Sequence, residues 1–178
     1  MLYMVDCAFS DSDREAAWNA YYTRRKLDEV LAVPGFRTSQ RFKSVNPITA
    51  PYLAIHTVDS GDVLASEAYR SLGGGSFDKD FQGCITNWSR NLFSGLDQAP
   101  AIAEDELLAV ADEGREALAQ AEVPFSWLQI AGLDRSVQYR GIACVTRTQG
   151  ERLAQTSNGI VRLYSPMMAQ RVEPANSR

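Results

Sequence analysis

The chain has 178 residues, of which 45% are hydrophobic and 22% are charged, and its formal net charge at pH 7 is −4. A chain of this length buries enough apolar surface for one substantial domain, or for two small ones that share a core, without a disulfide framework. The acidic balance argues against nucleic acid as a partner, because phosphate binding needs clustered basic residues, and no apolar run reaches the length of about 18 residues that spans a membrane.

The three cysteines, Cys7, Cys84 and Cys144, are odd in number and far apart, and they lack the spacing of a CxxC pair or a metal site. We therefore expect three reduced, mostly buried thiols in a cytoplasmic protein. The N-terminus has no basic segment and meets Asp6 after five residues, which favours a first strand over a signal peptide.

The first predicted strand is Leu2–Phe9, whose odd-numbered residues are all apolar. That face is expected to pack on helices, which leaves Asp6 on the other face. A capping box of Ser12 and Glu15 predicts the start of the next helix. The apolar stripe of this helix loses its phase across 23–26, which predicts a kink.

Pro34-Gly35 predicts the end of that helix. A glycine loop at Gly73–Ser76 lacks the Gly-Lys-Ser/Thr of a phosphate loop, so it does not indicate nucleotide binding. The other elements predicted for the first half are strands over Phe36–Lys43 and Tyr52–Val58, a helix over about 62–72, and a fourth strand within Cys84–Leu96.

The second half is predicted to repeat this plan in reduced form, and the alternative is that it is unrelated to the first. Its predicted elements are strands over Leu107–Ala111, Phe125–Ile130, Val137–Thr146 and Ile160–Tyr164, with helical segments over Glu113–Ala121 and Gln149–Gln155. The predicted organisation is therefore a first half at 1–96, a linker at 97–104, a second half at 105–165 and a disordered tail at 166–178.

Two segments carry a family resemblance. Tyr21–Phe36 contains LAVPGF, and Pro51–Leu72 reads PYLAIHTVDSGDVLASEAYRSL. In order and spacing they resemble the EthD-like group of dimeric α/β-barrel proteins, over residues 2 to about 96. The resemblance implies an α+β fold of ferredoxin-like antiparallel sheets with helices on one face, and two tandem halves would then form one α/β barrel. It does not fix a reaction, since members of a fold differ in chemistry.

The chain departs from that group at one position. Counting back from Pro34, the histidine usual in the family falls on Lys26, so a role resting on that histidine cannot be carried over. Lys26 and Arg41 are instead expected to bind an anionic substrate. Arg24 and Arg25 beside Lys26 are better explained as a solvated helix face.

His56 is the only histidine in the chain. If Leu53 and Ile55 face helices, strand alternation directs His56 into the barrel, on the strand beside the one that carries Asp6. We therefore predict a catalytic dyad in which Asp6 orients His56 as a general base, with Tyr22 as an acid or hydrogen-bond donor. The alternatives are that His56 is satisfied by structural hydrogen bonds and that Asp6 pairs with Arg41.

The remaining predicted substrate contacts are Asn87, Trp88, Arg90 and Trp127, although such aromatic residues often belong to a core. One histidine and scattered carboxylates do not form a metal site, and no dinucleotide motif is present, so no cofactor is expected. A haem held by His56 alone is a minor alternative.

These features favour a cofactor-independent enzyme of bacterial catabolic or secondary metabolism. The predicted chemistry is proton transfer of the lyase, decarboxylase or isomerase type on an anionic, aromatic or apolar acid. The competing hypothesis is a noncatalytic ligand-binding or stress-response barrel. Neither nucleic acid nor a membrane is expected as a partner, and a homodimer stays open.

Overall fold

The computed structural model describes residues 1–174. Strands make up the larger part of the regular secondary structure. The strands are β1 (Leu2–Phe9), β2 (Phe36–Ser44), β3 (Tyr52–Val58), β4 (Ile85–Ser94), β5 (Glu106–Ala111), β6 (Ser126–Leu133), β7 (Tyr139–Thr146), β8 (Arg162–Pro166) and β9 (Arg171–Val172).

The helices are short and lie between the strands. They are α1 (Glu15–Tyr21), a π-helical segment (Tyr22–Lys26), α2 (Leu27–Leu31), a 3₁₀ segment (Gly61–Ala65), α3 (Glu67–Ser71), α4 (Lys79–Gln82), α5 (Arg115–Leu118) and α6 (Arg147–Thr156). The π-helical segment lies where the sequence predicts a kink.

The sheet closes into an eight-stranded antiparallel barrel. The order is β3-β1-β4-β6-β7-β5-β8-β2, and β2 pairs back with β3, while β9 adds to β2. Each half has the ferredoxin-like strand order, and the halves join through the pairs β4–β6 and β2–β8. The predicted α+β barrel of tandem ferredoxin-like halves is confirmed.

The barrel interior is filled with side chains and does not form an open chamber. An eight-stranded barrel is just wide enough for its inward side chains to meet. The fully buried interior contains Leu2, Met4, Phe42, Leu53, Ile55, Phe93, Leu108, Val110, Leu128, Ile142 and Tyr164.

The segment between the halves covers one end of this core. Ala99 and Ile102 are buried, and the Ala99 amide donates to the Thr57 hydroxyl. The Gln40 side chain both donates to and accepts from the backbone of Ile102. Residues 97–104 therefore act as more than a spacer.

The outer surface of the barrel has two regions covered by helices. We call the surface of β1–β4 beneath α1–α4 the first face, and that of β5–β8 beneath α5 and α6 the second face. The first face buries aliphatic residues together with seven aromatic ones, Tyr3, Trp18, Tyr22, Phe36, Tyr52, Tyr69 and Phe77. The second face buries aliphatic residues, among them Leu107, Ala109, Leu118, Ala143, Val145, Leu153, Val161 and Leu163.

Two local predictions are wrong. The start of α1 is not a capping box, because the Asp11 carboxylate accepts from the Asp13 and Arg14 amides and the Ser12 side chain makes no such bond. Residues 166–174 are ordered, since the Met167 amide donates to the Arg41 carbonyl and β9 pairs with β2. The rest of the predicted tail lies outside the described residues.

Candidate functional site

The predicted dyad of Asp6 and His56 does not form. In the antiparallel pair β1–β3, His56 lies opposite Tyr3, and Asp6 lies opposite Leu53. Directly opposed residues share a face of the sheet, so Asp6 points into the barrel while His56 lies on the first face among aromatic rings. The two side chains are on opposite surfaces of the sheet.

The reason is the packing of β3. All seven of its residues are buried, so both of its faces are covered. The closed barrel needs bulky aliphatic side chains to fill it, and Leu53 and Ile55 serve there. The smaller Ala54 and the ring of His56 then lie beneath the helices.

Asp6 belongs to a buried ion cluster inside the barrel. Arg140 donates to Asp6 at 2.9 Å and to both oxygens of Asp112 at 2.6 and 3.0 Å, and Arg162 also donates to Asp112. Burial opposes the charge of Arg140, but Asp6 and Asp112 outweigh it and raise the Arg140 pKa. Arg140, which sequence reasoning missed, is therefore the partner of Asp6, and Arg41 is not.

His56 is held as a neutral ring. It is stacked on Tyr3 with ring centroids 5.3 Å apart, and Phe36 meets it edge-on at 5.7 Å. Its Nδ1 atom lies 2.7 Å from the Ser39 hydroxyl. Burial, with a further contribution from the charge of Lys26, lowers the pKa of His56 to about 3.

Two tyrosines extend this arrangement. The hydroxyl of Tyr69, on α3, donates to the hydroxyl of Tyr3 at 3.0 Å, and both residues are buried. Burial raises the pKa of each phenol. Both therefore stay protonated near neutral pH and can donate hydrogen bonds.

Lys26 reaches the same face from the π-helical segment. Its side chain is buried, and its Nζ atom donates to the carbonyl of Ser76 at 2.7 Å. Within residues 1–174 Lys26 forms no ion pair with a carboxylate. Burial lowers its pKa. Single π-turns of this kind are frequent at functional sites.

Arg90 approaches the glycine loop from β4. Its guanidinium donates to the Gly74 carbonyl at 3.0 Å and lies over the ring of Trp88, 4.8 Å from the centroid. We call the group formed by Tyr3, Lys26, His56, Tyr69 and Arg90, with the loop Gly73–Ser76, the first-face cluster.

Arg41 and Tyr22 lie deeper on the same face. The guanidinium of Arg41 is 4.0 Å from the centroid of the Tyr22 ring and donates to Asn19 and Thr23. Arg41 is 1% exposed, and burial lowers its pKa. These bonds hold α1 onto the sheet, so the geometry gives Arg41 a structural part.

Two predicted contacts lie elsewhere. Asn87 is exposed and donates to the Thr49 carbonyl. Trp127 lies on the second half, where its ring packs on Tyr139. Neither belongs to the first-face cluster, whereas Trp88 and Arg90 are brought to it.

Sequence reasoning did not identify three members of the first-face cluster, which are Tyr3, Tyr69 and the glycine loop. The sequence places Tyr3 on the apolar face of β1, where a tyrosine looks like a core residue. A run of three glycines after α3 was the available signal, because such a run allows the backbone to approach other groups closely.

Two large clefts lie away from this cluster. One, of about 600 Å³, is lined by Ala101–Glu104 and Pro166–Gln170. The other, of about 650 Å³, includes Arg37, whose charge is paired with Asp59 and Glu173. Neither cleft contains a histidine, cysteine or tyrosine, so the chemistry favours the first-face cluster.

Among residues 1–174, no group of three or more His, Cys, Asp or Glu side chains is placed to hold a metal ion. In the same part of the chain, no helix has the length and hydropathy needed to cross a membrane. His56 is 2% exposed between two aromatic rings, an arrangement that does not fit a ligand to a haem iron.

No protein-family model matches the chain, and no curated protein matches it significantly. Solved structures do share its fold. An anthrone oxidase-like protein is 14% identical, with a TM-score of 0.58 over 98% of this chain and 94% of that one. A proposed monooxygenase from Lactobacillus acidophilus NCFM is 6% identical, with a TM-score of 0.51 over 96% and 98% of the two chains.

A third structure, a proposed monooxygenase from Fusobacterium nucleatum, is 9% identical, with a TM-score of 0.50 over 97% of this chain and 93% of that one. At these identities the likeness establishes a shared α+β barrel along nearly the whole length, and the reaction has to be argued from the residues.

Proposed function

We propose that the chain is a cofactor-independent enzyme that moves a proton on a small aromatic substrate bearing an acidic oxygen, and that the first-face cluster is its active site. One observation carries this proposal. A neutral imidazole, two protonated phenols and a buried ammonium that has no carboxylate partner among residues 1–174 are gathered on one face. Burying such groups is costly, and perturbed groups gathered together are typical of functional sites.

Each group has a role in proton abstraction. The neutral ring of His56 accepts the proton from a substrate carbon, while Ser39 fixes the ring through Nδ1. Electrons left on the substrate move to its oxygen. The hydroxyls of Tyr3 and Tyr69 donate to that oxygen, and Lys26 stabilises its negative charge.

The base also has to become stronger when substrate binds. In the free protein the low pKa of His56 makes it a weak base. An anionic oxygen beside the ring offsets the charge of Lys26 and favours the imidazolium, so the arrangement is matched to a substrate that develops negative charge. The expected reactions are those of a lyase, decarboxylase or isomerase.

Oxidation by dioxygen is a second candidate, supported by the names of the structural neighbours. Proton abstraction from an electron-rich aromatic compound gives a carbanion, which dioxygen can oxidise with no cofactor in the protein. Removal of the proton is common to both candidates, and uptake of dioxygen separates them.

The test is exchange of substrate hydrogen with D₂O, followed by mass spectrometry, across a panel of anthrones, phenolic ketones and aromatic acids, with an oxygen electrode in parallel. We expect His56→Gln to lower the exchange rate by about 10²- to 10⁴-fold, as for loss of a general base. Tyr139→Phe, on the second half, is the control and should leave the rate unchanged. A His56→Gln variant with the wild-type rate would exclude this mechanism.

A further inference from the structure

We infer that the loop Gly73–Ser76 is a lid that closes the site when no substrate is bound: the carbonyl oxygens of Gly74 and Ser76 accept from Arg90 and Lys26, the two cations that would bind an aromatic carboxylate. This inference rests on the proposed function, since it assigns the substrate class and the regulation of the same site. It gives the cations of the first-face cluster a defined ligand.

The first argument is the state of Lys26. Lys26 is 4% exposed, and the Ser76 carbonyl at 2.7 Å is the acceptor that the structure gives its side chain. A buried ammonium is costly unless it is paired with a negative charge, and a carbonyl is a neutral dipole. An anionic oxygen at the same place would compensate the charge far better, so substrate can displace the loop.

The second argument is the matching contact from the other side. Arg90 donates to the carbonyl of Gly74 at 3.0 Å. Two cations from different elements thus hold two carbonyl oxygens that are two residues apart in one loop. A carboxylate offers two oxygens to such donors, and charge-assisted bonds to it are stronger than bonds to neutral carbonyls.

The third argument is the position of Gly75 between those carbonyls. A Cβ atom on Gly75 would lie 2.6 Å from the Tyr69 hydroxyl and 3.1 Å from the Tyr3 hydroxyl. The loop backbone is therefore pressed against the phenols that the proposed mechanism uses. Gly75 has a φ of +96°, a conformation that favours glycine.

The aromatic part of the ligand follows from the walls around the loop. Phe77 follows the loop directly, and its ring lies 6.5 Å from that of Trp88. The Trp88 Nε1 atom is buried and has no hydrogen-bond partner among the described residues. Withdrawal of the loop would leave a space bounded by aromatic rings and the two cations, which suits a planar ring with a carboxylate.

The contacts of the loop allow it to be displaced. Beyond the two cations, it is held mostly by its own neighbours, because Ser76 bonds to Gly73, and Gly73 and Gly74 bond back to α3. Its three successive glycines, all with positive φ, carry no side chains that would anchor the loop to its surroundings. Opening therefore exchanges few contacts and requires no change in the sheet.

The binding test uses 2-naphthoate and its neutral analogue 2-naphthamide, titrated by calorimetry against the full chain. We expect the wild type to prefer 2-naphthoate, and Lys26→Met to reduce that preference at least tenfold. Lys26→Met should not lower stability, because it removes a buried charge. An unchanged preference in Lys26→Met would overturn the inference.

The lid test compares Gly75→Ala with Gly74→Ala. A Cβ on Gly74 meets nothing within 4 Å, so Gly74→Ala controls for a methyl group on a positive-φ glycine. We expect Gly75→Ala to hold the lid open, with faster amide exchange across 73–77 and about three- to tenfold tighter 2-naphthoate binding, because the closed state no longer competes. Adding Tyr69→Phe to Gly75→Ala relieves the clash and should partly restore slow exchange.

Unchanged exchange in Gly75→Ala would contradict the lid. These readouts need no turnover, so they separate the two proposals. Binding that follows this pattern without any substrate hydrogen exchange would refute the proposed chemistry and support the lid. Exchange of substrate hydrogen that depends on His56, without a preference for 2-naphthoate over 2-naphthamide, would support the proposed chemistry and refute the lid.

Discussion

The two helix-covered faces of the barrel are built on the same strand order but bury different chemistry. On the second face the buried side chains are aliphatic, and a polar exception within the described chain, Ser157, accepts from the Val161 amide. The first face buries several polar or charged groups, namely Tyr3, Lys26, Ser39, Arg41, His56 and Tyr69.

This difference indicates that the two faces have different roles. A polar group under a helix is costly, and the second face shows that the fold does not need it. The cost on the first face is therefore best explained by function. Because one chain supplies both halves, one half can be purely structural while the other carries the proposed site.

The most direct test of this difference between the two faces is to place the same charge on both of them. Ala109 is fully buried between Ala143 and Leu163, whereas Ala54 lies opposite Arg41. We expect Ala109→Asp to lower the free energy of unfolding by about 4 kcal/mol or more, because the carboxylate is buried without a partner. Ala54→Asp should cost about 2 kcal/mol less, since it meets a guanidinium.

Urea denaturation followed by circular dichroism measures both variants. Equal losses would show that the first face is no better suited to charge than the second. The inference that the two faces have different roles would then be wrong.

A second prediction concerns the contact that joins the halves. Arg140, on the second half, bonds to Asp6 on the first. We expect Arg140→Met to destabilise the protein by about 3–5 kcal/mol, because it leaves the buried carboxylate of Asp6 unpaired. Arg162→Met, at a half-buried position, should cost about 1 kcal/mol or less. A small effect of Arg140→Met in the same urea assay would show that strand pairing and packing join the halves without help from this ion pair.

The smallest predicted effect is a pH dependence that belongs to the first face. Unfolded His56 takes up a proton near pH 6.5, whereas the folded ring, with a pKa of about 3, does not. The unfolded state binds more protons in this window, so stability falls as the pH drops from about 6.5 toward 3. Between pH 7 and pH 5 the loss should be about 2 kcal/mol.

His56→Gln should remove this part of the acid sensitivity, which is measured as the difference between thermal or urea stability curves of variant and wild type at each pH. Parallel curves for the two proteins would show that His56 is not buried as a neutral ring.

The sequence predicted more of the fold than of the site. The positions of the strands in both halves follow from the alternation of apolar and polar residues and from the turn residues between them. The kink at 23–26 follows from the lost phase of the apolar stripe along the helix, and the π-helical segment lies at that place. The prediction of a dyad of Asp6 and His56 was wrong because of one strand, β3. In β3 every residue is buried, so alternation divides the side chains into two sets without indicating which set faces the barrel.

The sequence by itself determined the β-α-β-β-α-β plan, its repetition, and the candidate residues Lys26, His56, Trp88 and Arg90, because local periodicity and residue chemistry are written along the chain. Only the tertiary structure decided that Arg140 partners Asp6, that Tyr69 meets Tyr3, and that a glycine loop covers the cluster. The first two contacts join residues 134 and 66 positions apart, and closing the barrel requires one particular face of each strand to point inward.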